Sequence, residues 1–562
     1  MFERIRHILA GAGFFTVLFA AFYLSPHVTV TDSRYALLAS EVLLTDGTLK
    51  LDGLAEVPDY RILESGGHER LFYPAAGSVF SVPFMALVRP FGGSVFDKEG
   101  RYDPTREDAL QKLLGALLCA VLGILMWRLA AQFTGGRAAM VIAIAASFGS
   151  PVWSTASRAV WMDTWGLLLL SIGLLMVVKP LRLPGLIILG SCLSWMYFVK
   201  PTYSIPVAAI TGIVVWRHRL NAWPLLVTGA VWLVVFVLWS LHTFGTPLPE
   251  YYSTSMLKFR DVPDALASHI FSPSRGILVY FPAAAWAVWM VVRNRARVGD
   301  RDLVTAAFAV IVLHYVVHAA HSSTAGHCYG ARFATPLVPW FVLLAAIGWE
   351  AVWREPACRR RFALACGLLL VLWGAFVNGR GAIEPKTWNW NIVPASIDDS
   401  RERLWDWRRP QFVADLLPEP LILPEEFPTL PSVLDFRGPD SAPYLLGRWD
   451  ACESEGRWSM GANAAVIFSS WPGRGLQVRM TVRTAGPQRV EASLNGETVW
   501  EVHTGNERWF TVDFPLPATL VSDRNVLEFR FPDRRVPDQS RHIGDFRELG
   551  LMVRCIEFSH AK

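Results

Sequence analysis

The stretch Tyr73–Phe91, YPAAGSVFSVPFMALVRPF, is apolar enough to be taken for a membrane span, and its reading decides the topology. Pro74, Pro83 and Pro90 interrupt it, and a proline inside a helix removes an N–H and crowds the preceding turn. Counted as a span, it would invert every later loop. The basic clusters Arg128/Arg137, Lys179/Arg182, Arg217/Arg219, Arg293/Arg295/Arg297/Arg301 and Arg354/Arg359/Arg360/Arg361 would then face outward. That opposes the bias that keeps Lys and Arg in cytoplasmic loops. Read as a re-entrant or surface-lying helix of the first outer loop, the stretch leaves every cluster in every second gap, in step with the basic leader Arg4 and Arg6.

Outward from it, about eleven spans of roughly 17–25 residues are expected by the bilayer-thickness rule. They are 8–25, 110–131, 138–155, 163–179, 183–199, 203–217, 222–243, 276–292, 303–320, 335–353 and 362–378. The odd total puts the N-terminus in the cytoplasm and the C-terminal part outside, as in a multi-pass protein of a bacterial inner membrane. The leader lacks a small-residue cleavage site and reads as a retained anchor. The net charge of +5 resides mostly in the cytoplasmic Arg clusters, so it speaks for membrane orientation and against nucleic-acid binding. Many of the 24 tryptophans stand at the ends of apolar runs, Trp127, Trp216 and Trp353 among them, where the ring suits the headgroup layer of the membrane lipids.

After Asn378 the composition becomes ordinary. The chain is therefore expected to divide into a transmembrane domain over 1–380, interfacial segments with a Pro-rich linker over 381–440, and an outer domain over 441–562. In the last, Leu476–Thr484, Arg489–Leu494, Thr498–His503, Arg508–Phe514, Val526–Phe531 and Leu549–Phe558 alternate as strands, and Asn495-Gly496 marks a hairpin. The expected fold is an α-helical polytopic bundle carrying an all-β sandwich of jelly-roll type. Cys452 and Cys555 lie near the two ends of that sandwich, which leaves open a disulfide or two separate thiols.

Asp32, in Val30-Thr31-Asp32-Ser33-Arg34-Tyr35, follows the first span by a few residues. A carboxylate at headgroup depth meets the level at which the phosphate of a lipid-linked donor must lie, and it can take a proton from an attacking hydroxyl. The same residue could instead cap the helix expected over Tyr35–Leu44; Glu41 on that helix reads as structural, paired with Arg34. Here the sequence resembles the GT-C superfamily of polytopic glycosyltransferases, most nearly the branch of protein O-mannosyltransferases and aminoarabinose transferases. The resemblance spans about residues 1–410. It implies an acidic catalytic base in the first outer loop, matched by Asp32, and a second acidic position in the next, matched by Asp163 in Ser157-Arg158-Ala159-Val160-Trp161-Met162-Asp163. The tandem acidic pair common in the first loop is absent, since Ser33 follows Asp32.

Arg158, Lys200, Arg275 and Arg332 recur in outer segments. A departing polyprenyl phosphate needs its charge neutralised, whereas the plain alternative is snorkelling to headgroups. Arg34, Tyr329, His321 and His327 are further candidates for substrate contact, and Tyr251-Tyr252 offers a stacking wall on a Pro-stiffened loop. His314, His318 and His321 share a helical face, yet no carboxylate completes metal-ligand spacing; substrate hydrogen bonding or buried polar packing is expected of them, no cofactor is expected, and a divalent metal is the alternative that the spacing does not support. The expected function is transfer of a sugar, with inversion, from a polyprenyl-phosphate donor to a periplasmic glycan, lipid or protein acceptor. A lipid-linked sugar transporter and a non-catalytic glycan-binding assembly protein are the alternatives. Charged residues are nearly absent from the span interiors, which counts against a transporter.

Overall fold

The computed structural model describes residues 2–55, 59–253, 257, 259, 261–297, 299–320, 326–392, 396–398, 400–414, 416, 421, 423–450, 452–504, 508–533 and 549–560. The chain forms two compact units, one of residues 1–388 and 400–413, the other of 389–399 and 414–562.

The first unit is helical. Its elements are α1 (Phe2–Leu24), α2 (Ala36–Asp46), a small hairpin of β1 (Ile62–Ser65) and β2 (His68–Leu71), α3 (Ala76–Val88), α4 (Pro104–Ala130), α5 (Gly136–Phe148), α6 (Met162–Val177), α7 (Leu183–Val199), α8 (Ser204–His218), α9 (Trp223–Phe244), α10 (Val262–Phe271), α11 (Ile277–Tyr280), α12 (Ala283–Arg293), α13 (Arg301–Ala319), α14 (Val338–Trp353) and α15 (Ala357–Ile383). Helix covers most of each expected span, with a break at 149–150 in the run 138–155. Pro104–Ala130, Pro201–Phe244, Arg301–Ala319, Arg332–Glu350 and Ala357–Ile383 are long and apolar enough to cross a bilayer, and shorter apolar helices accompany them. This is a multi-pass membrane protein.

The run 276–292 is not one helix. Pro282 forces its predecessor out of the helical region, and Phe281 lies at φ −144°, ψ 59° between α11 and α12. The Tyr73–Phe91 stretch folds as α3, a 13-residue helix with Pro83 inside it. At about 1.5 Å per residue it rises about 20 Å, short of the roughly 30 Å hydrocarbon core.

Helix ends gather into two sets. At one, Arg217 donates to the Val177 carbonyl (2.7 Å) and pairs with Asp302 (2.6 Å). At the other, the loop after α1 meets the loop before α6, where Thr29 N–H donates to Arg158 O (3.3 Å). Gly115 on α4 permits that loop to close in: a Cβ there would meet Ala159 O at 3.0 Å. Long helices therefore serve as a scaffold, and the loops beside Asp32 and Asp163 share one end of it.

The second unit is antiparallel β: β3 (Val433–Asp435), β4 (Leu445–Trp449), β5 (Arg457–Ser469), β6 (Leu476–Thr484), β7 (Gln488–Leu494), β8 (Glu497–Thr504), β9 (Phe510–Leu516), β10 (Arg524–Arg530) and β11 (Leu549–His560), in the order β8-β7-β10-β5-β11-β6-β9. The first part of β5 pairs with β11 and the rest with β10, so one strand belongs to both layers. Alternating residues of both layers, such as Val478, Met480, Val482, Leu527 and Phe529, fill one core. Asn495 (φ 53°) and Gly496 (φ 95°) make the tight β7–β8 turn, where left-handed backbone matches strand twist. Cys452 and Cys555 are both free thiols, and Trp458 is buried. Part of the Pro-rich connector, and Asp545–Glu548, lie outside the described residues.

Candidate active site

The site grows from the end of α1. Its last carbonyls lack helical partners, and Arg158 supplies them: its guanidinium donates to Phe22 O (2.5 Å), Ser25 O (3.1 Å) and His27 O (3.3 Å). Arg158 is fully buried, and burial pulls its pKa down to about 10. Its donors are turned to these carbonyls and to the Ser157 hydroxyl, not to the Asp32 cluster.

Beyond that cap the chain turns through Thr31–Tyr35, with Tyr35 in left-handed backbone (φ 66°). The start of α2 carries exposed N–H donors that need an acceptor. Asp32 does not provide it. Glu107 of α4 does, accepting from Tyr35 N (3.0 Å) and Leu37 N (2.9 Å). The capping alternative for Asp32 is thus replaced by a carboxylate 70 or more residues away.

Asp32 faces inward instead. One oxygen accepts from the Tyr73 hydroxyl (3.2 Å) and the other from Arg332. Arg332 lies 4.0 Å over the Trp161 ring. Burial pushes the Asp32 carboxyl up, but the charge and hydrogen bond of Arg332, the Tyr73 hydroxyl and the charge of Lys200 together outweigh it. The net result lies below the ordinary carboxylate range. Burial and the Asp32 charge push the Tyr73 hydroxyl up.

Asp163, in the first turn of α6, is bound through both oxygens to Lys200 Nζ (3.0 and 2.9 Å) at the end of α7. The two acids differ in access: the Asp32 side chain is 21% exposed and that of Asp163 3%. Asp32 is the open carboxylate; Asp163 is closed by its partner.

The other candidates spread around this centre. Arg34 pairs with Asp108 (2.6 Å), not with Glu41, which accepts from Ser94 Oγ and Val95 N. Arg275 is buried and donates to Gln411 Oε1 (2.5 Å), Ser274 O (2.9 Å) and Gly326 O (3.2 Å). Gln411 also donates to Cys328 O and Thr387 O, so this network fastens the loop before Arg332. Tyr329 donates to Val377 O (2.6 Å), and His327 is half-buried in the same loop. His314 contacts Phe333 O (2.7 Å), and His318 packs on His314 and Phe333. His321 lies outside the described residues. Among the described residues no His, Cys, Asp and Glu group is arranged to hold a metal.

Tyr251 packs against Tyr73 (ring centroids 5.4 Å apart), and Tyr252 donates to Phe198 O (2.5 Å). Beside them opens an apolar cavity of about 250 Å³ between α3, α7 and α9, with Trp195, Trp232, Trp239 and Tyr252 in its walls. Tyr73 belongs to both places: its ring lines the cavity and its hydroxyl meets Asp32. Sequence reasoning passed over Tyr73, Trp161, Glu107 and Gln111. The last two carried a usable signal, a polar i,i+4 pair at the start of an apolar run.

No protein-family model and no curated protein sequence matches this chain. Solved structures do. The chain is similar to ArnT from Cupriavidus metallidurans in the apo state, with a TM-score of 0.42 at 14% identity over 73% of this chain and 74% of that one. The same protein bound to undecaprenyl phosphate gives 0.40 at 16%, over 72% and 73%. The archaeal oligosaccharyltransferase AglB from Archaeoglobus fulgidus, in complex with an inhibitory peptide and a dolichol-phosphate, gives 0.41 at 11%, over 76% and 62%. The likeness is one of fold alone.

Proposed function

We propose that this protein is an integral-membrane glycosyltransferase that moves a sugar from a polyprenyl-phosphate donor to an acceptor glycan, lipid or protein. One observation carries the reading. An open carboxylate, Asp32, contacts a guanidinium and a phenol, and that phenol also walls an apolar cavity. A lipid-linked sugar phosphate needs those three surroundings side by side: hydrocarbon for the tail, a cation for the phosphate, and a base near the reacting carbon.

In the proposed step the acceptor oxygen bonds to the anomeric carbon and gives its proton to Asp32. The bond from that carbon to the phosphate oxygen breaks, and its electron pair leaves with the phosphate, whose charge Arg332 neutralises. Asp163 is engaged by Lys200 through both oxygens, so a single open carboxylate supports one displacement with inversion. Arg332 would serve two anions, Asp32 throughout and the phosphate on its other edge once the donor arrives. Lys200, behind Asp163, adds positive potential to the same region. The end bearing Arg217 would face the cytoplasm of a bacterial inner membrane and the Asp32 end the periplasm.

The test is titration of the purified protein with undecaprenyl phosphate, the product-side ligand. Saturable binding that Arg332→Ala weakens at least about tenfold is expected, as for loss of a charge-assisted contact. Binding indifferent to Arg332, or none, rejects the reading.

A further inference from the structure

Along α4, Glu107, Gln111 and Gly115 stand at i, i+4 and i+8, one face of the helix, turned toward the two loops that carry the acids. Gln111 is fully buried and uses both ends of its amide. Its Nε2 donates to Ser33 O (2.7 Å), next to Asp32, and to Glu107 Oε1 (3.0 Å). Its Oε1 accepts from Val160 N (3.1 Å), next to Trp161 and close to Asp163. Glu107 meanwhile holds Tyr35 N and Leu37 N and takes the Tyr102 hydroxyl. Gly115 lets the Ala159 carbonyl lie against the helix.

The geometry points to Gln111 as a positioning residue that couples the donor-side loop bearing Asp32 to the loop bearing Trp161 and Asp163. Binding of a polyprenyl phosphate at Arg332 would thereby set the second loop as well. This rests on the function proposed above. The physical case is one of rigidity and reach. A buried amide with both ends committed has no second arrangement without an orphaned polar atom, and such an orphan is costly. With the Thr29 N–H to Arg158 O bond beside it, Gln111 therefore makes the two main-chain segments move as one. Glu107 contributes the other half: by capping α2 it releases Asp32 from that duty and holds the turn that aims it at Arg332 and Tyr73.

The experiment is amide hydrogen exchange on the full-length protein, with and without undecaprenyl phosphate. Expected for the unaltered protein is slower exchange on binding in both 29–37 and 156–164, by about tenfold in the second, the size of one network bond. Gln111→Leu is expected to keep the slowing in 29–37 and to weaken it in 156–164, most of all at Val160, leaving what the Thr29–Arg158 bond and the Arg332–Trp161 contact carry, with affinity held within about threefold because the phosphate contacts are intact. Gln111→Glu, should the leucine variant fail to fold, keeps an acceptor for Val160 N but sets a carboxylate against Ser33 O, and is expected to weaken the coupling too. Equal slowing of both segments in a folded Gln111 variant overturns the coupling and leaves the functional reading standing. Slowing in neither segment of the unaltered protein overturns both.

Discussion

Replacing Asp32 by Asn is expected to tighten polyprenyl-phosphate binding while abolishing transfer. Arg332 is the shared partner: it donates to Asp32 and lies over Trp161. An incoming phosphate must compete for that guanidinium with a carboxylate already on it. Two anions on adjoining edges of one guanidinium sit roughly 6 Å apart, and at an effective dielectric of about 20 they repel by about 3 kcal/mol. The Asp32 side chain is 21% exposed, and water screening leaves about 1.5 kcal/mol of this, about tenfold in Kd. Asn keeps the shape and an acceptor for Tyr73 but removes the charge. Trp195, Trp232 and Trp239 in the cavity wall give an intrinsic signal, so tryptophan fluorescence during titration with undecaprenyl phosphate reads the affinity directly. Equal or weaker binding by Asp32→Asn would show that Asp32 and the phosphate do not share Arg332. The base and the leaving-group cation would then belong to different places, and the proposed step would fail.

Four further outcomes are expected. Because Arg332 holds the Asp32 carboxyl below the ordinary range, the acid limb of transfer is expected below that range, and Arg332→Gln should move it upward in a pH–rate profile. By the same sign the pair stabilises the fold at neutral pH and is lost only as pH falls through the lowered value, so thermal unfolding of Asp32→Asn and unaltered protein should differ by a constant between pH about 7 and about 5. Lys200→Met leaves Asp163 buried without its partner and should cost about 3–5 kcal/mol, most of it restored by adding Asp163→Asn; an additive double variant in denaturant titration contradicts the pairing. Cys452 and Cys555 should both alkylate without reductant, the exposed Cys452 first, as peptide mass spectrometry can follow.

What the sequence disclosed and what it withheld divide along range. Apolar runs and the Arg alternation are local patterns, and helices stand where those runs do. The Asn495-Gly496 hairpin and the strand Leu476–Thr484 are local too, and β6 has those very bounds. Strand β5 escaped because it is buried along nearly its whole length and shared by two layers, so it lacks the alternation that marks a one-faced strand. The Phe281–Pro282 break was written in the proline, but a run apolar on both sides of it reads as one span.

The site is where distance in the chain matters most. Arg158, Arg275 and Arg332 look alike in sequence, each an arginine among small and polar residues of an outer segment. What separates them is their acceptors. Arg158 meets the carbonyls that end α1, Arg275 meets Gln411, and Arg332 meets a carboxylate. Asp32 presents the same problem in reverse. Thr31-Asp32-Ser33 is a good capping sequence, and nothing within it says that Glu107 will cap α2 instead. Once Glu107 does, Asp32 has no main-chain obligation, and the cost of its partly buried charge is met by Arg332 and Tyr73. A carboxylate proposed as a catalytic base is legible less from its own neighbours than from the distant residue that takes over its structural work. Gln111 and Glu107, polar at helical spacing at the start of an apolar run, are the pair to look for when a capping sequence and a catalytic one coincide.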